Sequence, residues 1–161
     1  MYKIKIEENA FRNCSSLTSL VIPSKVESIG YYAFGHCDNL CDVEIKSDNL
    51  KNIGIYGSTS IFGDCISLEK VRMTGKLESI PSSMFRDSQY IQSVELPSTI
   101  KEISSSAFEN CSSLNQITIP ENVTAIGRDA FNGCKSLEEI TIPVNVETLG
   151  NGAFANCTLL E

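Results

Sequence analysis

The chain has no tryptophan and only one histidine, His36, in 161 residues. The first absence removes a side chain that dominates interface hot spots. The second leaves any nucleophile or metal with a single imidazole to recruit. Cations are scarce too: 13 Lys and Arg against 20 Asp and Glu give a net charge of −7, with no basic run to offset it locally. Such a surface repels a phosphate backbone, so nucleic acid is not an expected partner. No segment reaches the roughly 18 uninterrupted apolar residues of a membrane span. The opening MYKIKIEENAF has no apolar signal-peptide core. Membrane insertion is therefore not expected, and the chain shows no signal peptide.

What is abundant is repetition. Ala107 to Gly127 reads AFENCSSLNQITIPENVTAIG, Ala130 to Gly150 reads AFNGCKSLEEITIPVNVETLG, and Ala10 to Gly30 reads AFRNCSSLTSLVIPSKVESIG. All seven phenylalanines fall in one column, Phe11, Phe34, Phe62, Phe85, Phe108, Phe131 and Phe154, spaced 23, 28, 23, 23, 23 and 23 residues apart. Three residues after each stands Cys14, Cys37, Cys65, Ser88, Cys111, Cys134 or Cys157, and three further on a Leu or Ile. A period in this range marks a solenoid whose units cannot bury their apolar face alone. Residues 1–161 are long enough for one domain and begin and end inside a repeat. They are expected to be a single domain cut from a longer repeat protein.

Within each unit, Ile117 and Ile119, or Val94 and Leu96, or Ile140 and Ile142, alternate with polar residues, which predicts one short strand buried on one face. Pro23, Pro97, Pro120 and Pro143 follow directly, where ladder pairing can end without a lost donor. Gly30, Gly54, Gly127 and Gly150 close the unit, and a positive φ is expected there to let the chain turn. The stretch A-F-x-x-C-x-x-L places apolar groups three apart, which predicts a short helical turn. The expected class is α/β: about six rungs of 23 residues, with short parallel strands on one side and helical turns or 3₁₀ segments on the other. Strands about 4.8 Å apart give a body on the order of 30 Å long.

From Ala10 to Cys157 the pattern A-F-x-x-C-x-x-L-x-x-[VI]-x-[IL]-P-x-x-V-x-x-I-G resembles the BspA-like class of leucine-rich repeats. The resemblance implies a right-handed leucine-rich-repeat solenoid, concave on its strand face. It also implies a cell-surface or secreted location, and adhesion to host or matrix proteins or glycans. It brings no catalytic motif and no cofactor. The departures are Ser88 in the Cys column, Pro81 and Ser104 in the Gly column, Ile61 and Met84 in the Ala column, and Lys46 and Thr74 in the Pro column.

The ladder cysteines are read as small buried apolar groups, because neighbours at strand spacing are farther apart than the Cβ separation of about 3.8 Å that a disulfide prefers. Cys41 follows the Leu column, where other rungs carry Thr18, Glu69 and Gln92, and is expected to be an exposed free thiol. His36, Cys37 and Cys41 do not converge as zinc ligands, since Cys37 faces inward and Cys41 outward. No activated nucleophile is recognisable, so an enzyme is not expected. Asn13, Asn110, Asn122 and Asn156 stand in N-x-[ST] sequons, of which only Asn122 is expected to be freely exposed.

Two surfaces are candidates for a partner. On the strand face, Asp42 and Lys70 form one outward pair, and Glu44, Arg72 and Glu95 alternate in sign across neighbouring rungs, so lateral pairing is expected. The other is the rim beside the 28-residue unit, whose five extra residues fall mostly in IGIYGSTSIF, Ile53 to Phe62; Tyr31, Tyr32 and Tyr56 are expected there. They either form an aromatic contact patch or pin the longer loop. Three functional readings stay open: an adhesion module binding a protein or glycan ligand, a spacer with no ligand of its own, and an intracellular protein-protein scaffold. Apolar ends at Phe11 and Phe154 also predict end-to-end self-association.

Overall fold

The computed structural model describes residues 3–50, the backbone of 52–53, and residues 60–161. Twelve short strands are described: β1 (Ile4–Ile6), β2 (Ser19–Ile22), β3 (Val26–Ile29), β4 (Asp42–Ile45), β5 (Asn52–Ile53), β6 (Lys70–Met73), β7 (Ser79–Ile80), β8 (Ser93–Glu95), β9 (Glu102–Ile103), β10 (Gln116–Ile117), β11 (Ala125–Ile126) and β12 (Thr148–Leu149). All pairings between them are parallel. The chain is a parallel-strand β-solenoid of about six turns, each about 23 residues from the next.

The sequence predicts one strand per rung, and most rungs have two. The L-x-x-[VI]-x-[IL] segments form a five-stranded sheet in the order β10-β8-β6-β4-β2. The V-x-x-I segments form a second ladder, β1-β3-β5 and β12-β11-β9-β7. These second strands are mostly two residues long, too short to show a period of two in sequence.

The expected helical turns are absent among the described residues, and the backbone shows why. Each A-F segment is bracketed by two left-handed residues four apart, as at Asn9 and Asn13 (φ 56° and 63°) or Ser106 and Asn110 (φ 58° and 62°). A helix consumes its amides internally. Here alternate amides leave the rung. Ala107, Glu109 and Cys111 donate to the carbonyl three residues back, while Ser106, Phe108 and Asn110 donate to Arg128, Ala130 and Asn132 of the next rung. The turns thus form a third hydrogen-bonded ladder, and the fold is β throughout the described residues.

Inside, the phenylalanines stack in nearly parallel planes, with ring centroids 5.1 Å apart for Phe108 and Phe131 and 6.3 Å for Phe62 and Phe85. Phe34, Phe62, Phe85, Phe108 and Phe131 are fully buried in one continuous core with the Leu, Ile and Val columns.

The glycine column serves a purpose other than the one expected. Gly30, Gly127 and Gly150 are not in the left-handed region. Their amides donate to Ile6, Ile103 and Ile126 of the preceding rung at 2.7, 2.7 and 2.8 Å. A Cβ on Gly127 would lie 2.5 Å from the Ser105 amide nitrogen. Close backbone approach, not turning, excludes a side chain there. Gly54 lies outside the described residues.

Candidate interaction surfaces

The strand face carries its outward side chains in register. Ser19, Asp42, Lys70, Ser93 and Gln116 form one row, and Val21, Glu44, Arg72 and Glu95 the other. The rows match the sequence reading, but the ion pairs close on diagonals. Arg72 Nη2 meets Asp42 Oδ1 at 2.7 Å, and Lys70 Nζ meets Glu95 Oε1 at 2.5 Å. Glu44 is already engaged: Thr74 Oγ1 donates to it at 2.8 Å and Lys46 Nζ lies 3.2 Å away. The Thr74 hydroxyl, with Lys46 beside it, holds the Glu44 carboxyl below the usual carboxylate range. Arg72 therefore reaches past Glu44 to Asp42.

On the rim, Tyr31 and Tyr32 do come together, with ring centroids 4.9 Å apart. Tyr32 has a left-handed backbone (φ 50°), and its ring lies across Gly35 and Gly63, where added Cβ atoms would come within 2.2 and 2.8 Å of it. Its hydroxyl donates to Asp64 Oδ2 at 2.8 Å, the Arg12 guanidinium sits 5.3 Å from its ring centre, and His36 Nε2 is 3.7 Å from the same Asp64 oxygen. Burial and the bond to Asp64 push the Tyr32 phenol up to about 12. Tyr32 thus bridges three successive rungs as a pin. Tyr56, with residues 54–59 of the insertion, lies outside the described residues.

Cys41 is exposed and Cys37, Cys65, Cys111 and Cys134 are buried, as expected, but the ladder thiols of the end rungs are not: Cys14 is exposed and Cys157 half-buried, because the first and last rungs have a neighbour on one side only among the described residues. The ladder thiols are more than apolar filler, however. Cys65 Sγ donates to the Phe34 carbonyl at 3.0 Å and Cys111 Sγ to that of Phe85 at 3.0 Å, and Cys37, Cys134 and Cys157 repeat the bond one rung back. Each Phe carbonyl also accepts the amide three residues on, so the thiol occupies its second lone pair. Where Ser88 interrupts the column, its hydroxyl lies 2.6 Å from that of buried Ser60 instead. All four sequon asparagines are exposed, not Asn122 alone, because Asn13, Asn110 and Asn156 sit on the outward left-handed turns.

Two features escape the repeat consensus. Ile66 and Tyr90 stand exposed on adjacent rungs, in a ridge otherwise occupied by residues such as Ser15, Asp38 and Ser112. Their departure from those columns was visible in sequence. The second is a pair of cavities at the far end of the strand face. One, of about 450 Å³, is lined by Lys70, Glu95, Leu96, Gln116, Ile117 and Thr118 among others. The other, of about 380 Å³, lies between Ile117–Ile119 and Glu139–Thr141 and includes Glu121. The two have Ile117 and Thr118 in common.

Comparison with known proteins places these features in a family. Residues 4–57 and 57–161 match the BspA type Leucine rich repeat region, in six copies. Among solved structures, a leucine-rich repeat protein from Bacteroides ovatus superposes with a TM-score of 0.81 at 30% identity over 98% of this chain and 39% of its own. The T. pallidum leucine rich repeat protein gives 0.77 at 30% identity, over 98% of this chain and 72% of its own. A leucine rich cell surface protein from Faecalibacterium prausnitzii gives 0.59 at 30% identity, over 98% of this chain and 50% of its own. The chain thus spans well under two thirds of the Bacteroides protein. A search of curated proteins finds no match. The chain belongs to the BspA-type leucine-rich repeat family.

Proposed function

We propose that residues 1–161 act as one non-catalytic interaction module of a cell-surface or secreted protein, binding a host or matrix protein or a glycan in adhesion. The observation that carries this reading is the register of the strand face, which holds two uninterrupted rows of outward side chains on a rigid five-stranded sheet. Rigid display of this kind keeps the ordering cost of binding low. The description of the Faecalibacterium prausnitzii relative as a cell surface protein supports the location. The test is binding of the chain to an array of matrix proteins and glycans by interferometry. Saturable binding that falls at least tenfold in Lys70→Ala/Arg72→Ala, with the fold intact by circular dichroism, is the expected result; a tenfold loss is about 1.4 kcal/mol.

The spacer reading has one observation in its favour. Asp42–Arg72 and Lys70–Glu95 close on one another, and exposed pairs of this kind carry little energy outward or inward. Absence of binding across the array at high micromolar concentration selects it.

A further inference from the structure

Only two asparagines in the chain precede a glycine, Asn132 and Asn151. Both glycines have a left-handed backbone, Gly133 at φ 77° and Gly152 at φ 68°, in the turns of successive rungs. An Asn-Gly pair is the least hindered setting for attack of a backbone nitrogen on the side-chain amide that precedes it, because glycine has no Cβ to block the approach. In sequence the two pairs are equivalent. In the fold they are not.

At Asn132 every group that would react is held. Gly133 is buried, and its amide donates to the Ala155 carbonyl of the next rung at 2.8 Å. The Asn132 side chain donates through Nδ2 to Asp129 Oδ1 at 3.2 Å and accepts through Oδ1 from Asn156 Nδ2 at 2.9 Å. Attack there first requires the rung to open. At Asn151 these restraints are missing. Asn151 and Gly152 are both exposed. Gly152 holds the position from which Ser83, Ser106 and Asp129 donate to the following rung at 3.1, 2.9 and 3.0 Å, and its own amide has no backbone acceptor among the described residues. The Asp129 carboxylate beside Gly152 is engaged by Arg128 Nε at 3.0 Å and by Asn132, so its charge is not left unpaired against an anion forming at the Gly152 nitrogen.

We propose that Asn151 is a self-modification site, whose side-chain amide converts without an enzyme to aspartate or isoaspartate, while Asn132 in the same Asn-Gly setting is preserved by the rung stacked on it. Hydroxide removes the Gly152 amide proton, and the nitrogen forms a bond to Asn151 Cγ. The Cγ–Nδ2 bond then breaks, and ammonia leaves with a proton taken from water, which restores the hydroxide. Water next opens the cyclic imide. Addition at Cγ gives aspartate, and addition at the main-chain carbonyl carbon gives isoaspartate. Either product adds a negative charge beside Asp129. Isoaspartate also runs the main chain through Cβ and Cγ, one atom longer, at the residue whose carbonyl accepts the Asp129 amide at 3.0 Å, and so takes that turn out of register. A rung or a second copy seated on this face would accept the Gly152 amide as Asn151 accepts that of Asp129, and would close the site.

The experiment incubates the full chain, dilute, in mildly alkaline buffer and follows both asparagines by peptide mass spectrometry, with an isoaspartyl methyltransferase assay for the rearranged product. In the native chain Asn151 is expected to convert at least about tenfold faster than Asn132, because only Asn132 waits on local opening. A smaller ratio overturns the proposal. In urea both sites are free, and their rates are expected to agree within about threefold. A larger difference there would belong to the flanking residues and not to the fold, and overturns it too. Asn151→Gln carries the amide carbon out of reach of a five-membered ring and is expected to abolish the isoaspartate signal of the native chain; a signal that survives removes the assignment to Asn151. Conversion at Asn151 that does not quicken as the pH is raised overturns attack by the Gly152 amide.

Discussion

At Gly127 a single methyl group decides between contact and collision, since the nearest backbone atom of the preceding rung would be 2.5 Å from it. Gly127→Ala is expected to cost about 1–3 kcal/mol in urea unfolding, the range of overpacking. Equality with the parent would mean that the rung relaxes as it does around Ser104. The thiols separate by environment. Burial raises the Cys65 thiol to about 12 and pushes Cys111 well above its ordinary value. Native alkylation read by mass spectrometry is expected to label Cys14 and Cys41 quickly and Cys65, Cys111 and Cys134 only on unfolding. A stability consequence follows in base. A thiol whose folded pKa is raised remains protonated in the fold while the unfolded chain ionises. Its contribution is whole below about 9 and drains away as the pH climbs towards 12. Urea midpoints should therefore hold steady from neutrality to pH 9 and then fall, with Tyr32 acting in the same direction. A midpoint unchanged at pH 11 would contradict this.

The rung elements draw their stability from stacking. Phe108 lies between Phe85 and Phe131 at 5.2 and 5.1 Å with no solvent exposure. Phe108→Ala is expected to cost about 3–5 kcal/mol, whereas Phe11→Ala, on a ring 43% exposed at the edge of the stack, should cost clearly less. Comparable losses would show that the stack is not what holds the rungs. The Phe, Leu and strand columns were legible in sequence because burial demands the same side-chain class in every rung. The turns were not, because Asn9, Tyr32, Ser83, Ser106, Asp129 and Gly152 share a left-handed backbone and no side chain. The glycine column showed that a Cβ was unwelcome without showing what it would strike. At the candidate site the outward rows were legible from the period of two, but the diagonal ion pairs depend on side-chain reach.

For the whole molecule, the exposed apolar side chains gather partly at the two ends: Ile4 and Phe11 on the first rung, Leu149 and Leu159 on the last. Opposite ends follow the same consensus, so one chain can continue another head to tail, a contact that does not close. Light scattering is expected to show a weight-average mass that rises with concentration; a monomer from micromolar to millimolar would rule the contact out. Such growth is helped by how the amides point. On the turn edge Phe11, Phe85 and Phe108 donate to the following rung, while at the strand margins Gly30, Lys46 and Thr124 donate to the preceding one. The two sets of peptide dipoles run oppositely along the axis. An α-helix aligns all of its peptides and accumulates charge at its ends. In this solenoid opposed rows offset each other rung by rung, so an array can lengthen without building up an axial field.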